Sequence, residues 1–428
     1  PHLHAICIEP RRRMPTPPPH PSCISCHLVH ETIAISLFSS SGMLCRLLLG
    51  RGTQIAFDGS HGLFGVLPAN LIGCFLFGAL CDGKALAATL RSGAPEADAA
   101  ALDAVSSEPL PIIRGTPTTW SAILLGLRTG FCGSLTSYSS WNQAMVYYLL
   151  VQQDGRAFAI AAVIGLLAPF AALVLGQRAA LWSFLALRCT LQQSPSQSEQ
   201  PESGAQKIDS VLDDGATRGS LKSCSMIRIA VCKEAAISAV ARTSHRGGAR
   251  WLSLLLLIGV IASVAAIAAT TGDDESMRIC VAVLLAPVGA LLRWRLSKAL
   301  NGRYTRAIGA RGLAVVFSNC SGVPIGTLAA NLLASILAAL LLATVDSGAA
   351  DGRSLSWRSE AALRGIVIGF CGCLSTVSTF INEVQVLLSP SLRSGSGYHC
   401  SCSGLIYPLV TLCMCLALAI PCYGWAIW

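Results

Sequence analysis

Nine apolar stretches, almost free of charge, divide the chain at 32–50, 66–81, 121–150, 157–176, 251–271, 279–292, 324–345, 365–381 and 404–428. A helix rises roughly 1.5 Å per residue, so most of these can cross a hydrocarbon layer of about 30 Å, and the shorter ones can borrow flanking residues. Only 12% of the residues are charged, against roughly a quarter in soluble domains. That composition excludes an ordinary soluble protein and predicts an all-α integral membrane protein with about nine spans.

The formal net charge of +9 raises the question of a nucleic-acid partner. The basic residues, however, do not form one patch interleaved with aromatics; they sort by loop. Arg11, Arg12 and Arg13 precede the first run, a broad group from Arg178 to Arg250 lies between the fourth and fifth, and Arg293 to Arg311 follow the sixth. With these loops cytoplasmic, the positive-inside rule puts the N-terminus inside and the acidic Asp273-Asp274-Glu275 outside. Asn319-Cys320-Ser321 then faces the cytoplasm and is expected to stay unglycosylated.

Residues 1–30 are rich in Pro, His and Arg and lack an apolar core, so no cleavable signal peptide is expected there. Many of the 19 cysteines fall inside apolar runs, where a thiol behaves as a small hydrophobe, so a disulfide framework is not expected. Cys23-Ile-Ser-Cys26-His27 fits a haem-attachment pattern, and a zinc site with His20 and His30 is conceivable, but no haem-binding domain or second CxxC accompanies it. Gly-rich phosphate loops, nucleophile elbows and HExxH are missing, so nothing points to an enzyme.

The sequence repeats itself. Gly42-Met-Leu-Cys-Arg46 is echoed by Gly289-Ala-Leu-Leu-Arg293, and Asn70-Leu-Ile-Gly-Cys-Phe by Asn331-Leu-Leu-Ala-Ser-Ile. Gly130-Phe-Cys-Gly-Ser-Leu-Thr-Ser-Tyr-Ser-Ser-Trp141 aligns without a gap on Gly369-Phe-Cys-Gly-Cys-Leu-Ser-Thr-Val-Ser-Thr-Phe380. The expected organisation is a tail over 1–30, a four-helix repeat over 31–188, a flexible linker over 189–250, a joining membrane helix over 251–271 and a second four-helix repeat over 277–428. An odd number of crossings between the copies inverts the second relative to the first, an architecture of transporters and channels with sites near the midplane.

In both copies of the third run, Gly, Ser and Thr crowd mid-membrane, which predicts a break whose carbonyls face the pseudo-twofold axis, where they can hold a monovalent cation. The plainer alternative is a kinked helix whose hydroxyls bond back to its own carbonyls. Asn70 and Asn331 sit inside apolar helices and must find partners or line a polar path; an amide NH2 suits an anion, while helix–helix glue is the competing role. Tyr138 and Trp141 lie three residues apart, with Phe380 in the place of Trp141, and ring edges carry the partial positive charge that an anion favours. Ordinary packing also accounts for them. Tyr407, Thr411 and Cys415 fall at i, i+4 and i+8 on one face, and run 157–176 carries no such stripe.

The Gly130–Trp141 and Gly369–Phe380 segments resemble the hallmark GFCGGLTTFSTF of the CrcB/Fluc fluoride channel family, and the Asn-containing and GAxxR-type helices fit it in the same order. Two copies with a joining helix resemble its fused eukaryotic branch, the FEX-type fluoride exporters. The resemblance implies an antiparallel pair of four-helix units around a structural Na+, with two pores for passive fluoride export across the plasma membrane. The implied partners are fluoride and lipid, with no nucleic acid and no obligate protein partner.

By the same resemblance, the sodium-binding carbonyls fall on Gly133, Thr136, Gly372 and Ser375, and the pore amides on Asn70 and Asn331. Hydroxyls of Ser139, Ser378, Thr379 and Thr411, with Tyr407, are expected to line the path, while Arg46 and Arg293, near helix ends, either draw anions into vestibules or snorkel to lipid headgroups. The motif's two phenylalanines fall on Tyr138 and Trp141 in one copy and on Val377 and Phe380 in the other. Each family pore takes one ring from each unit, so one pore pairs Tyr138 with Phe380 and the other pairs Trp141 with Val377. The second has lost a ring, and only the first is expected to conduct well. A secondary transporter of small molecules would need a membrane-embedded Asp or Glu, which the apolar cores lack; a non-conducting scaffold would need no repeated polar midplane residues.

Overall fold

A computed structural model describes residues 21–56, 63–80, 119–193, 273–301, 323–350, 355–388 and 403–427. The first repeat consists of α1 (Pro21–Ala56), α2 (Leu63–Ala79), a composite α3 over 119–135, α4 (Tyr138–Leu150) and α5 (Gly155–Gln193). The second repeats the order with α6 (Asp274–Leu300), α7 (Ile325–Ala350), a composite α8 over 357–374, α9 (Ser378–Leu388) and α10 (Ser403–Ile427). Among the described residues six helices are long and apolar enough to cross a membrane, and Gly65–Ala79 is a shorter apolar helix. Eight of the nine apolar runs fall on α1–α10; run 251–271, the joining helix, lies outside the described residues, as does Asn319-Cys320-Ser321.

Side-chain caps start several helices where the sequence supplies an oxygen. Asp273 accepts from the Ser276 backbone N–H at 3.1 Å and opens α6 ahead of Asp274 and Glu275, acids that suit the positive end of the helix dipole. The Ser276 hydroxyl and backbone N–H hold the exposed Asp273 carboxyl below its ordinary range. Ser137 accepts from Ser140 N–H at 3.2 Å to start α4.

Two helices overrun the boundaries expected from composition. α1 starts at Pro21, inside the expected tail, because proline suits a first helical position. α5 runs to Gln193, past the expected linker start at 189, because the next proline comes only at Pro195.

The repeats are antiparallel at their centre, where α1 packs along α6. Lys298, near the end of α6, pairs with Glu31, near the start of α1, at 2.9 Å, while Arg51 at the far end of α1 pairs with Glu275 at the start of α6. Within each repeat α2 packs on α5 and α7 on α10, but α4 crosses over to lie against α7 and α10, and α9 crosses to α5 and α2. Each boundary between repeats is therefore built from both copies.

Candidate functional site

The site begins where the third helix of each repeat comes apart. α3 passes from an α-helical Thr119–Leu125 into a π-helical Gly126–Cys132 and a last turn at Gly133–Leu135; α8 does the same with Trp357–Ile366, Val367–Cys371 and Gly372–Leu374. Thr136 (φ −88°, ψ 143°) and Ser375 (φ −85°, ψ 161°) are then extended, and the chain re-enters a helix at Tyr138 and at Ser378. The predicted break is present in both copies. The π-helical lead-in was not legible in the sequence, although such segments often mark functional positions.

The two breaks cross at the pseudo-twofold and stitch the repeats together. The Thr136 hydroxyl is 3.1 Å from that of Ser378, which donates to Cys132 C=O at 3.3 Å. Inverted, Ser375 donates to Ser139 at 2.9 Å, and Ser139 donates to Cys371 C=O at 3.2 Å. Ser139 and Ser378, expected along the pore, thus spend their hydroxyls across the repeat boundary. Thr379 places its N–H 3.5 Å from the Thr376 hydroxyl. The alternative of back-bonding also holds in part, since the Thr136 hydroxyl donates to Cys132 C=O at 3.0 Å.

Arg46 and Arg293 are not vestibule residues. Both are buried, 7% and 2% exposed, and each guanidinium reaches into the crossing. Arg46 Nη1 donates to the carbonyl oxygens of Ser134 and Gly372, both at 2.8 Å, and its Nη2 to that of Ile368 at 2.5 Å. Arg293 answers with Nη1 to Gly133 at 2.7 Å and Ser375 at 2.9 Å, and Nη2 to Thr129 at 2.5 Å. A planar fork with five donors suits several convergent carbonyls, and the close backbone explains two motif glycines: a Cβ at Gly133 would strike the Arg293 guanidinium, and one at Gly372 that of Arg46. The reason for the misplacement is local. Each arginine lies far along its helix in sequence, but the helix continues beyond it on both sides.

These contacts also test the carbonyl set expected to hold Na+. The carbonyls of Gly133, Gly372 and Ser375 already accept guanidinium protons, and two buried positive groups stand beside them. A cation there would sit beside these guanidinium groups, but each carbonyl oxygen keeps a second lone pair, so Gly133, Thr136, Gly372 and Ser375 would still be the residues to hold it.

Asn70 and Asn331 are buried next to the breaks. Asn70 Oδ1 accepts from Ser137 N–H at 2.9 Å. Asn331 Oδ1 accepts from Thr376 N–H at 2.8 Å, and its Nδ2 donates to Thr376 C=O at 3.3 Å. Their first role is to satisfy backbone that the extended residues leave unpaired.

The aromatic residues of the two motifs meet near the breaks. Tyr138 and Phe380, from different repeats, meet edge to face with centroids 5.5 Å apart, and Phe380 also packs against Tyr407 at 5.4 Å. Trp141 joins the same cluster, edge-on to Tyr138 with centroids 5.2 Å apart, while its Nε1 donates to Ala161 C=O at 2.9 Å and its indole lies where a Cβ on Gly165 would be. Where Phe380 meets Tyr407, Trp141 therefore meets small residues and fills their space. Thr411 bonds back to Tyr407 C=O at 2.8 Å.

Sequence reasoning missed Glu383. It lies within the apolar span Trp357–Leu388, two residues beyond the run ending at 381, and accepts from Thr327 at 2.6 Å, Tyr407 at 3.0 Å and Asn301 at 3.3 Å. The expectation that the membrane region holds no carboxylate is corrected by it. Its signal was present in Phe380-Ile-Asn-Glu383, an acid one helical turn after a motif aromatic. Among the described residues no group of three or more His, Cys, Asp or Glu could hold a metal ion.

Two inverted repeats with crossed helix breaks at their shared centre define a dual-repeat integral membrane protein. The profile of the family described as CrcB-like protein, Camphor Resistance (CrcB), matches residues 33–177 and 280–423, and the chain belongs to that family. Fluoride export protein 1 of Candida albicans is 35% identical over 105 residues, 24% of this chain and 23% of that protein. The fluoride-specific ion channel FluC of Pseudomonas aeruginosa is 36% identical over 110 residues, 26% of this chain and 68% of that protein. That of Pseudomonas putida is 35% identical over 103 residues, 24% and 63%. The match thus spans under a quarter of the Candida protein's length. No solved structure gives a significant match.

Proposed function

We propose that the chain is a passive, fluoride-selective channel that exports F− across the plasma membrane as a single fused molecule in lipid, and that one of its two pathways conducts. Family membership and the names of the relatives support the substrate. The inequality of the two repeat boundaries supports the single pathway.

The observation that carries it is the Tyr138–Phe380 pair with Tyr407 behind it. Two ring edges at one boundary offer partial positive charge to an anion without a full cation that would trap it. Val377 stands in the place of Tyr138 in the second repeat, and the Trp141 indole is packed into Ala161 and Gly165 and edge-on against Tyr138. The side that pairs Trp141 with Val377 serves as structure. Arg46 and Arg293 hold the crossed breaks, which fixes the residues flanking the pathway, and no step of conduction is assigned to sodium.

Fluoride enters cells from acidic surroundings as neutral HF and dissociates inside, where the inside-negative potential drives the anion out. A passive path then suffices for export and resistance. The loop distribution of basic residues supports a cytoplasmic N-terminus, with the Lys298–Glu31 end then inside and the Arg51–Glu275 end outside.

The test is fluoride efflux from liposomes carrying Phe380→Ala or Val377→Ala. Efflux slowed by Phe380→Ala and left near the original rate by Val377→Ala supports one conducting pathway; comparable slowing in both contradicts it. The secondary-transporter reading gains one specific observation, the carboxylate of Glu383 inside a span, and a proton-gradient experiment separates it from the channel.

A further inference from the structure

The boundary that holds Tyr138 and Phe380 contains polar groups that the packing leaves without strong partners. Among the described residues the Tyr138 hydroxyl, both side-chain polar atoms of Asn142 and the Ser335 hydroxyl are buried without a hydrogen-bond partner, on residues that are themselves 0% exposed. Tyr138 and Asn142 are i and i+4 on α4 and share one face. Gln143 on α4 donates to Ser335 C=O on α7 at 3.0 Å, which sets the two helices side by side at this level. The Cys415 thiol of α10 lies beside both the Tyr138 and the Ser335 hydroxyls, and a thiol is too weak a partner to satisfy either.

A buried hydroxyl or amide without a hydrogen bond is costly. Groups left this way in a native core call for a water or an ion that the protein atoms alone do not represent. Here the orphans come from two helices of different repeats and are rich in O–H and N–H donors. The equivalent place at the opposite boundary has lost them all, because the alignment puts Val377 opposite Tyr138, Ile381 opposite Asn142 and Cys74 opposite Ser335.

We propose that the Tyr138 and Ser335 hydroxyls and the Asn142 side-chain amide form a binding site for a small, strongly hydrated anion, fluoride in this chain, held by hydrogen-bond donors in addition to ring edges. The site deepens the channel reading and rests on it for its ligand. A phenol donates where the motif's phenylalanine has only a C–H edge, so this pathway holds its ion more tightly than a pair of bare rings would. The Asn142 amide oxygen, an acceptor, takes a proton from water that stays with the ion. Large, weakly hydrated anions gain less from compact donors and are disfavoured.

The experiment is the thermal unfolding midpoint of the full-length protein in detergent as sodium fluoride is titrated, with sodium chloride as control, in the original protein and in Tyr138→Phe, Ser335→Ala and Val377→Ala. A midpoint that rises saturably with fluoride and not chloride is expected. Loss of one donor raises the half-saturating fluoride concentration about tenfold in Tyr138→Phe and Ser335→Ala, and Val377→Ala leaves it unchanged. Tyr138→Phe keeps the ring and its packing, so a folding defect is not the expected cause of a change. Half-saturation unaltered in both donor variants, or no fluoride-dependent stabilisation of the folded original protein, overturns the site. Fluoride efflux from liposomes of the same preparations judges the channel separately: efflux without the binding change rejects the site alone, and binding without efflux rejects the channel reading alone.

Discussion

Tyr138 and Phe380 face each other edge-on across the boundary between repeats, with ring planes 77° apart, although 242 positions separate them in sequence (380 − 138). The contact exists because both third helices break and send their second halves into the other repeat. A continuous helix in either copy would leave each ring inside its own four-helix unit. The crossing therefore creates the candidate pathway, and residues that stabilise the crossing act on function through it.

The arginines are the first of these. Replacing Arg293 by Met removes the donors to Gly133, Ser375 and Thr129 and leaves buried carbonyls unpaired. A loss of about 3 kcal/mol in stability is expected, with Arg293→Lys intermediate because an ammonium lacks the planar fork. Thermal or denaturant unfolding in detergent reads the order. Arg293→Met as stable as the original protein would contradict the role.

Among the described residues Asn331 makes two bonds to Thr376, whereas Asn70 makes one, to Ser137. Asn331→Leu is expected to cost more stability than Asn70→Leu, by about 1 kcal/mol. If Asn331 also faces the conducting path, flux per folded molecule falls in Asn331→Leu and holds in Asn70→Leu. Equal flux per folded molecule in both would restrict Asn331 to the backbone.

Trp141 and Gly165 are coupled by space. Gly165→Ala places a methyl into the indole and is expected to cost about 1–3 kcal/mol. In a Trp141→Phe background most of that cost disappears, an interaction that a double-mutant cycle on unfolding midpoints measures. Additive effects would mean that the indole does not fill that space.

Glu383 separates the channel from a coupled transporter. Its carboxylate is engaged by Thr327, Tyr407 and Asn301, a structural acceptor set. Fluoride release is expected to proceed without a pH gradient in both the original protein and Glu383→Gln. Release that depends on an inward proton gradient and loses this dependence in Glu383→Gln would favour the transporter.

What the sequence made legible follows from what repeats in it. Apolar length marked the helices, and the duplicated Gly130 and Gly369 segments marked the breaks, because a run of Gly, Ser and Thr at membrane depth makes a poor continuous helix and survives there only where protein satisfies its backbone. The unequal rings were visible as Tyr138 and Val377 in aligned places. The partners were not legible. A hydroxyl at Ser139 reads the same whether it lines a pore or bonds to Cys371 in the other repeat, and Arg46 reads as a helix-end charge until the opposing break is seen to bring Gly372 and Ile368 to it. Such contacts are set by how the repeats dock, which local pattern does not encode.

The central claim is tested most directly by fluoride release from liposomes containing the purified full-length protein, followed with an ion-selective electrode beside chloride-loaded vesicles. Rapid fluoride release with negligible chloride release is the predicted result. Correctly folded protein that releases no fluoride, or releases chloride as readily, would contradict it.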